Sequence, residues 1–92
     1  MIRGFRHKGL GRYFQRSDPR GIPAQYADRI ARMLDALDAA SRPTDMDLPG
    51  FRFHQLKGRR AGTFSVTVSG NWRITFGFEG KDATNVDLED YH

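Results

Sequence analysis

The sequence predicts an α+β domain in which two N-terminal helices pack on one face of a small, mostly antiparallel β-sheet. Three observations predict it. Apolar residues recur at helical spacing up to Ala40, they alternate strictly with polar ones after Thr63, and short turn signals divide that alternation into neighbouring strands. Ninety-two residues support one hydrophobic core, so residues 1–92 are read as a single domain. Seven Phe, three Tyr and one Trp supply the bulk that a hydrophobic content of 38% would otherwise leave short.

Residues 2–5 read as a short opening strand and residues 7–16 as a helix with Leu10, Tyr13 and Phe14 on one side. Ser17-Asp18-Pro19-Arg20-Gly21 breaks that helix. Pro23 suits the first turn of a second helix over residues 24–40, where Tyr26, Ile30, Met33, Leu34 and Leu37 form the apolar stripe and Arg29, Arg32 and Asp35 face elsewhere. Residues 41–50, with two prolines and little periodicity, form the one substantial loop. Residues 53–56 read as a short strand. From Thr63 to Ser69 the chain places Phe64, Val66 and Val68 on one face and Thr63, Ser65, Thr67 and Ser69 on the other. Gly70-Asn71 is a two-residue turn signal, after which Trp72, Ile74, Phe76 and Phe78 point inward and Arg73, Thr75 and Gly77 outward. A second turn at residues 79–82 leads to a last strand near residues 84–88, with Thr84, Val86 and Leu88 inward. The outer face of the sheet is expected to be polar and open.

The charge distribution narrows the function classes. The formal charge is +4, with six Arg and Lys in residues 1–20 (Arg3, Arg6, Lys8, Arg12, Arg16 and Arg20) against the single acid Asp18. A second basic block holds Arg52, Lys57, Arg59 and Arg60, whereas the last fourteen residues hold five acids against Lys81 alone. Such clusters are the footprint of a phosphate-backbone binder, and equally of a solvated charged surface. The absence of cysteine removes disulfides and thiolate metal sites and suits a reducing compartment. Residues 1–6 carry no apolar run of the length a signal peptide or membrane helix needs, so the chain is expected to be cytoplasmic.

Arg73 is kept out of the core by its parity with Trp72 and Ile74, so a strand holds it rigidly on the polar face. His54 and Lys57 flank the first sheet strand, and Asp90, Tyr91 and His92 follow the last. These are the groups that RNA cleavage by its own 2′-hydroxyl requires: a base for that hydroxyl, cations for the charged phosphorane, and an acid for the departing 5′-oxygen. Each has a plainer role as well. His54 can bond neighbouring backbone, Lys57-Gly58-Arg59-Arg60 can be a solvated turn, residues 90–92 can be an idle chain end, and His7 reads as structural or surface. Asp87, Glu89 and Asp90 invite a hard cation, but on one strand Asp87 and Glu89 share a face while Asp90 takes the other, and no histidine pair completes a site. No metal ligand or cofactor is therefore assigned. Glycine-rich phosphate loops and serine-centred nucleophile motifs are also missing. A non-catalytic basic module binding RNA or DNA through the same sheet is the alternative reading.

The opening Ile2-Arg3-Gly4-Phe5-Arg6-His7-Lys8-Gly9-Leu10, the turn Leu56-Lys57-Gly58-Arg59-Arg60-Ala61-Gly62, the segment Asn71-Trp72-Arg73-Ile74-Thr75-Phe76 and the terminal Glu89-Asp90-Tyr91-His92 closely resemble the HigB branch of the RelE-like bacterial toxins. The likeness covers essentially the whole chain. It implies a RelE-like, microbial-RNase type of fold and a toxin of a type II toxin–antitoxin system that cleaves messenger RNA in the ribosomal A site, through the 2′-hydroxyl and without metal. It further implies an active site of His54, Lys57, Arg73, Asp90, Tyr91 and His92. Arg73 and Lys57 would hold the scissile phosphate, His92 and His54 would transfer protons or orient substrate, Asp90 would position an imidazole, and Tyr91 would stack on a base. Which group is base and which acid stays open. Arg52, Arg59, Arg60, Arg3, Arg6 and Lys8 would anchor RNA of the 70S ribosome. The implied partner is a helix-turn-helix antitoxin of the HigA kind.

Overall fold

The helical spacing of the N-terminal half yields two helices in the structure, a computed structural model that describes residues 1–90. Helix α1 spans Lys8–Arg16. His7 caps it, its Nδ1 accepting the Leu10 backbone N–H at 3.1 Å, so the structural reading of this histidine holds. Ser17 ends α1 in the left-handed region, with φ of 56°. A 3₁₀ turn at Ala24–Tyr26, directly after Pro23, leads into α2 at Ala27–Ala39. The predicted second helix is thus present with its first turn wound more tightly, a frequent form of helix entry. Ile30, Met33, Leu34 and Leu37 are its buried stripe. The following loop contains a 3₁₀ turn at Pro43–Met46, which sends Met46 into the core.

The rest of the described chain is a four-stranded antiparallel meander, β1 at His54–Gln55, β2 at Phe64–Thr67, β3 at Trp72–Glu79 and β4 at Asp82–Asp90, in the order β1-β2-β3-β4. Residues 2–5 make two isolated parallel bridges to β4, Ile2 with Ala83 and Phe5 with Val86, in place of a continuous opening strand. Leu10 and the α2 stripe pack against Val66, Val68, Ile74, Phe76, Val86 and Leu88, which forms a single core between helices and sheet. Across the core face run ring contacts from Phe53 to Phe64 at 5.8 Å, Phe64 to Phe76 at 5.9 Å and Phe76 to Phe78 at 6.0 Å. Phe53 thereby ties the two-residue β1 to the sheet.

Two local expectations need correction. The β2–β3 turn is longer than Gly70-Asn71, because β2 stops at Thr67 and the Val68 and Ser69 N–H groups both donate to the Trp72 carbonyl, at 2.8 and 3.1 Å. In β4, the inward residue is Ala83, wholly buried, and not Thr84. The cause is a bulge. Thr75 pairs with Asp87 but Gly77 pairs with Thr84, so β4 carries one extra residue there, and Asn85 absorbs it with φ of 51°. The extra residue reverses the parity of everything before it.

Arg29, which the sequence pattern left facing away from the core, is a tie. Its Nε donates to the Val68 carbonyl at 2.8 Å and its Nη2 to the Gly50 and Thr67 carbonyls at 2.8 and 3.0 Å. It secures the segment entering β1 to the end of β2. Phe76→Ala should lower unfolding free energy by about 3–5 kcal/mol in chemical denaturation, because the ring is enclosed on the core face. Ala83→Leu should cost about 1–3 kcal/mol through overpacking, whereas Thr84→Ala should stay within about 0.5 kcal/mol. An inward Thr84 would reverse that order.

Candidate active site

The register stacks two rows of side chains on the face away from the helices. His54, Ser65, Thr75 and Asp87 are successive cross-strand partners in one row, and Thr67, Arg73 and Glu89 in the next. Arg73 lies where parity placed it, and Phe53 on the core side leaves His54 for the polar side. The two backbones are about 12 Å apart, two strands across and two residues along. Their side chains, with Arg52, Leu56, Ser65, Thr67 and Gly70, line one hollow of about 270 Å³. His54 is exposed, and its Nδ1 lies 3.1 Å from the Phe53 carbonyl. In the tautomer that donates from Nδ1, Nε2 carries the lone pair that a general base needs.

The β1–β2 connection supplies a second wall. Leu56 donates to the Thr63 carbonyl at 2.9 Å, and the intervening chain turns through a 3₁₀ segment at Gly58–Arg60. Gly58 and Gly62 have φ of 68° and 91°, conformations that a side chain would strain. The turn directs Arg60 back over the sheet onto Glu89. Arg60 Nη1 donates to Glu89 Oε1 at 2.8 Å, Arg60 Nη2 donates to Oε2, Thr75 Oγ1 donates to Oε2 at 2.6 Å, and Arg73 Nη2 approaches Oε1 at 3.5 Å. The outer face is therefore polar but not open throughout. Ser65 and Thr75 are buried beneath it. On the far side of this cluster lies a larger hollow of about 550 Å³, walled by Arg6, Arg60, Thr75, Thr84, Asn85 and Glu89 among others.

The sequence-predicted residues are thus only partly brought together. Arg52, His54 and Arg73 share one hollow, and Arg6 and Arg60 share the other. Lys57 and Arg59 are exposed in the turn between β1 and β2, beside both. Asp90 is exposed and pairs with Trp72, at the same sheet end as Arg73 but on the opposite pleat. Arg3 is remote: it lies beside Ala83, roughly 20 Å of strand from Glu89, within 3.7 Å of Glu79 and 3.9 Å of Asp82. Lys8 lines a hollow on α1 with Arg12 and Arg16. Tyr91 and His92 lie outside the described residues. Among the described residues, no group of three or more His, Asp or Glu is placed to hold a metal ion, and no helix is long and apolar enough to cross a membrane.

Glu89 is the residue that sequence reasoning passed over, having weighed it only as a cation ligand. The hydrogen bonds from Arg60 hold its carboxyl near pKa 2, below its ordinary 4.5, with Thr75 and the charge of Arg73 adding to the effect. The unfolded chain thus binds this proton more readily. The stabilisation is complete above about pH 4.5 and is lost as pH falls towards 2. Melting temperature of the parent chain should fall across that window more steeply than that of Glu89→Gln, and parallel curves would remove Glu89 from the acid transition.

The family model described as "RelE-like toxin of type II toxin-antitoxin system HigB" matches residues 3–92. "Endoribonuclease HigB" of Proteus vulgaris is 45% identical over 92 residues, the full length of both chains. "Toxin HigB-1" of Vibrio cholerae serotype O1 is 32% identical, covering 97% of this chain and 96% of that protein. Among solved structures, a mutant of YafQ from E. coli superposes with a TM-score of 0.57 at 12% identity, over 98% of this chain and 93% of that one. A copper-bound mutant toxin from Helicobacter pylori gives 0.55 at 14%, over 98% and 94%. These structural likenesses carry the fold, an α+β RelE-like arrangement of two helices on an antiparallel sheet. With the family model spanning all but two residues and a relative matched end to end, the chain belongs to the HigB-like family of RelE-like toxins of type II toxin–antitoxin systems.

Proposed function

We propose that this chain is an endoribonuclease toxin that cleaves messenger RNA in the A site of the 70S ribosome, by attack of the RNA's 2′-hydroxyl and without a metal ion. The observation that carries the reading is the hollow shared by His54 and Arg73 on the polar face, in a chain 45% identical to a protein named as an endoribonuclease. In this reaction the 2′-oxygen bonds to the adjacent phosphorus, the bond to the 5′-oxygen breaks, and a cyclic phosphate remains. The base takes the 2′-proton and the acid returns one to the 5′-oxygen, so no net proton is consumed. Arg73 and Lys57 stabilise the charge that grows on the phosphorane. His54 and His92 are the two groups able to move protons near neutrality, Asp90 orients an imidazole, and Tyr91 stacks on a base. Arg52, Arg59, Arg6 and Lys8 anchor ribosomal RNA, with Arg3 more distant. The chain acts in the cytoplasm, where a helix-turn-helix antitoxin of the HigA kind restrains it.

Pure protein added to translating ribosomes should produce message ends within A-site codons, in chelator as well as without it. A message with one 2′-deoxy nucleotide at the cut position should resist cleavage, since the attacking oxygen is gone. Arg73→Ala should slow cutting on the order of a hundredfold or more while remaining folded. Removing Tyr91 and His92 should cost a factor of roughly 100 to 10,000. Binding without any cutting at saturating protein would leave the basic RNA-binding module as the function.

The logarithm of the ribosome association constant should fall linearly with the logarithm of salt concentration, by a slope of about 0.7 to 0.9 for each phosphate neutralised. Arg59→Glu should flatten that slope. Affinity indifferent to salt would mean that the basic turn is ordinary solvated surface.

A further inference from the structure

We propose that the larger hollow, between the β1–β2 turn and the bulge of β4, is a nucleobase site for an unstacked RNA base that carries an exocyclic amino group. This inference rests on reading the chain as an RNA-binding protein. The hollow, about 550 Å³, lies on the polar face, beyond the Arg60–Glu89 wall from the one that holds His54 and Arg73. It adds to that site and takes no part in the cutting step.

Two departures from regular sheet open it. Residue 77, the β3 position opposite Thr84, is a glycine, and its φ is not one of the positive ones, so space and not backbone conformation calls for glycine here. A Cβ at this position would crowd only the Thr84 hydroxyl, at 3.2 Å, with the Gly62 carbonyl next at 3.7 Å. The missing side chain thus keeps the floor clear between the turn and β4, as glycine does in a strand that something else approaches closely. The second departure is the bulge, which sets the exposed Asn85 at the rim with φ of 51°.

Around this floor stand groups that hydrogen-bond. Among the described residues, the side chains of Arg6, Thr63, Thr84 and Asn85 make no hydrogen bond or ion pair to another residue. The charges that line the hollow balance, Arg6 and Arg60 against Asp87 and Glu89. A phosphate entering here would meet two carboxylates, whereas a neutral base meets donors and acceptors for its edge, the means by which single-stranded RNA is read. Asp87 selects the base. Its Oδ1 accepts the Leu88 N–H at 2.9 Å, which leaves Oδ2 to accept from a ligand, and an ionised carboxylate can only accept. The amino groups of cytosine, adenine and guanine donate to such an oxygen. Uracil has a carbonyl where cytosine has its amino group, and a carboxylate repels it.

Cytidine and uridine differ at that group, so the pair tests the site in a titration of the free chain followed by NMR. Cytidine should move the amide resonances of Gly62, Gly77 and Asn85 and the side-chain amide of Asn85, with an affinity on the order of tenfold above that of uridine. Asp87→Asn offers a donor as well as an acceptor and should remove most of that difference. Gly77→Val places a residue suited to strands on the floor and should abolish the cytidine shifts with the melting temperature near that of the parent. Should Gly77→Val fail to fold, Asp87→Asn decides the matter. Inorganic phosphate that moves the same resonances as tightly as cytidine makes the hollow an anion site and overturns the inference. So do equal affinities for the two nucleosides, shifts confined to the hollow of His54 and Arg73, the absence of any shift, or cytidine shifts that survive in folded Gly77→Val. Message cutting by the same samples separates the two levels. A chain that cuts message but leaves cytidine unbound here overturns this inference alone, whereas one that binds cytidine here and does not cut overturns the endonuclease reading.

Discussion

Ile74 and Phe76 leave β3 no latitude. Both are almost wholly enclosed between sheet and helices, and a slip of one residue would expose them while turning Arg73 and Thr75 inward. The slip would forfeit about 1.5–3 kcal/mol for each apolar side chain brought into water. It would also bury a guanidinium, at several kcal/mol more. The position of Arg73 is therefore a by-product of core packing. Any charged group that acts on a transition state needs that kind of rigidity, because misplacing a charge by an ångström forfeits much of what it does there. Phe53 extends the same logic outward, since its stacking on Phe64 gives the two-residue β1 a register and so gives His54 a face.

The polar face is organised around a carboxylate set among cations. Glu89 accepts from Arg60 and Thr75 and lies against Arg73, which ties β2–β3 chemistry to β4 and to the turn after β1. A partly buried carboxylate is tolerable when its lone pairs are occupied by charged and hydroxyl donors, and its lowered pKa reports that they are. The same bonds explain why the Thr75 hydroxyl can be buried on the polar face. Its hydroxyl has a partner, so enclosure costs little.

Much of this was legible in the residues, and the parts that were not share a cause. The stripe of α2, the alternation of Val66, Ile74 and Phe76 and the outward parity of Arg73 all follow from one regular period, and each stands where the pattern placed it. The bulge at Asn85 is a break in a period. Asn signals tolerance of positive φ without saying that the chain uses it, so Ala83 and Thr84 were exchanged. The contacts of Arg29 and Arg60 were not legible for another reason. Their partners, the carbonyls at Gly50, Thr67 and Val68 and the carboxylate of Glu89, are 21 to 39 residues away, and no local pattern reports such pairings. Arg73 and Glu89 could have been matched, since both are outward residues on adjacent antiparallel strands. His92, one of the two histidines expected to move protons, and Tyr91 lie outside the described residues.

Folding also changes what the charge distribution means. Along the sequence the basic first twenty residues and the acidic last strand stand far apart, and the chain looks polarised. The parallel bridges from Ile2 to Ala83 and Phe5 to Val86 bring them side by side. There the N-terminal ammonium lies 3.6 Å from Asp82, and Arg3 lies close to Glu79 and Asp82. These contacts are exposed and long, so each adds little to stability. Their effect on the surface field is larger than their energy, because they offset positive charge at the end of the sheet where β4 begins. Arg52, Lys57 and Arg59 are exposed at the β1 side, and no acid lies within ion-pair distance of them among the described residues. Of these, Arg52 lines the hollow that holds His54 and Arg73, so the contacts at the start of β4 leave the cations at that hollow untouched.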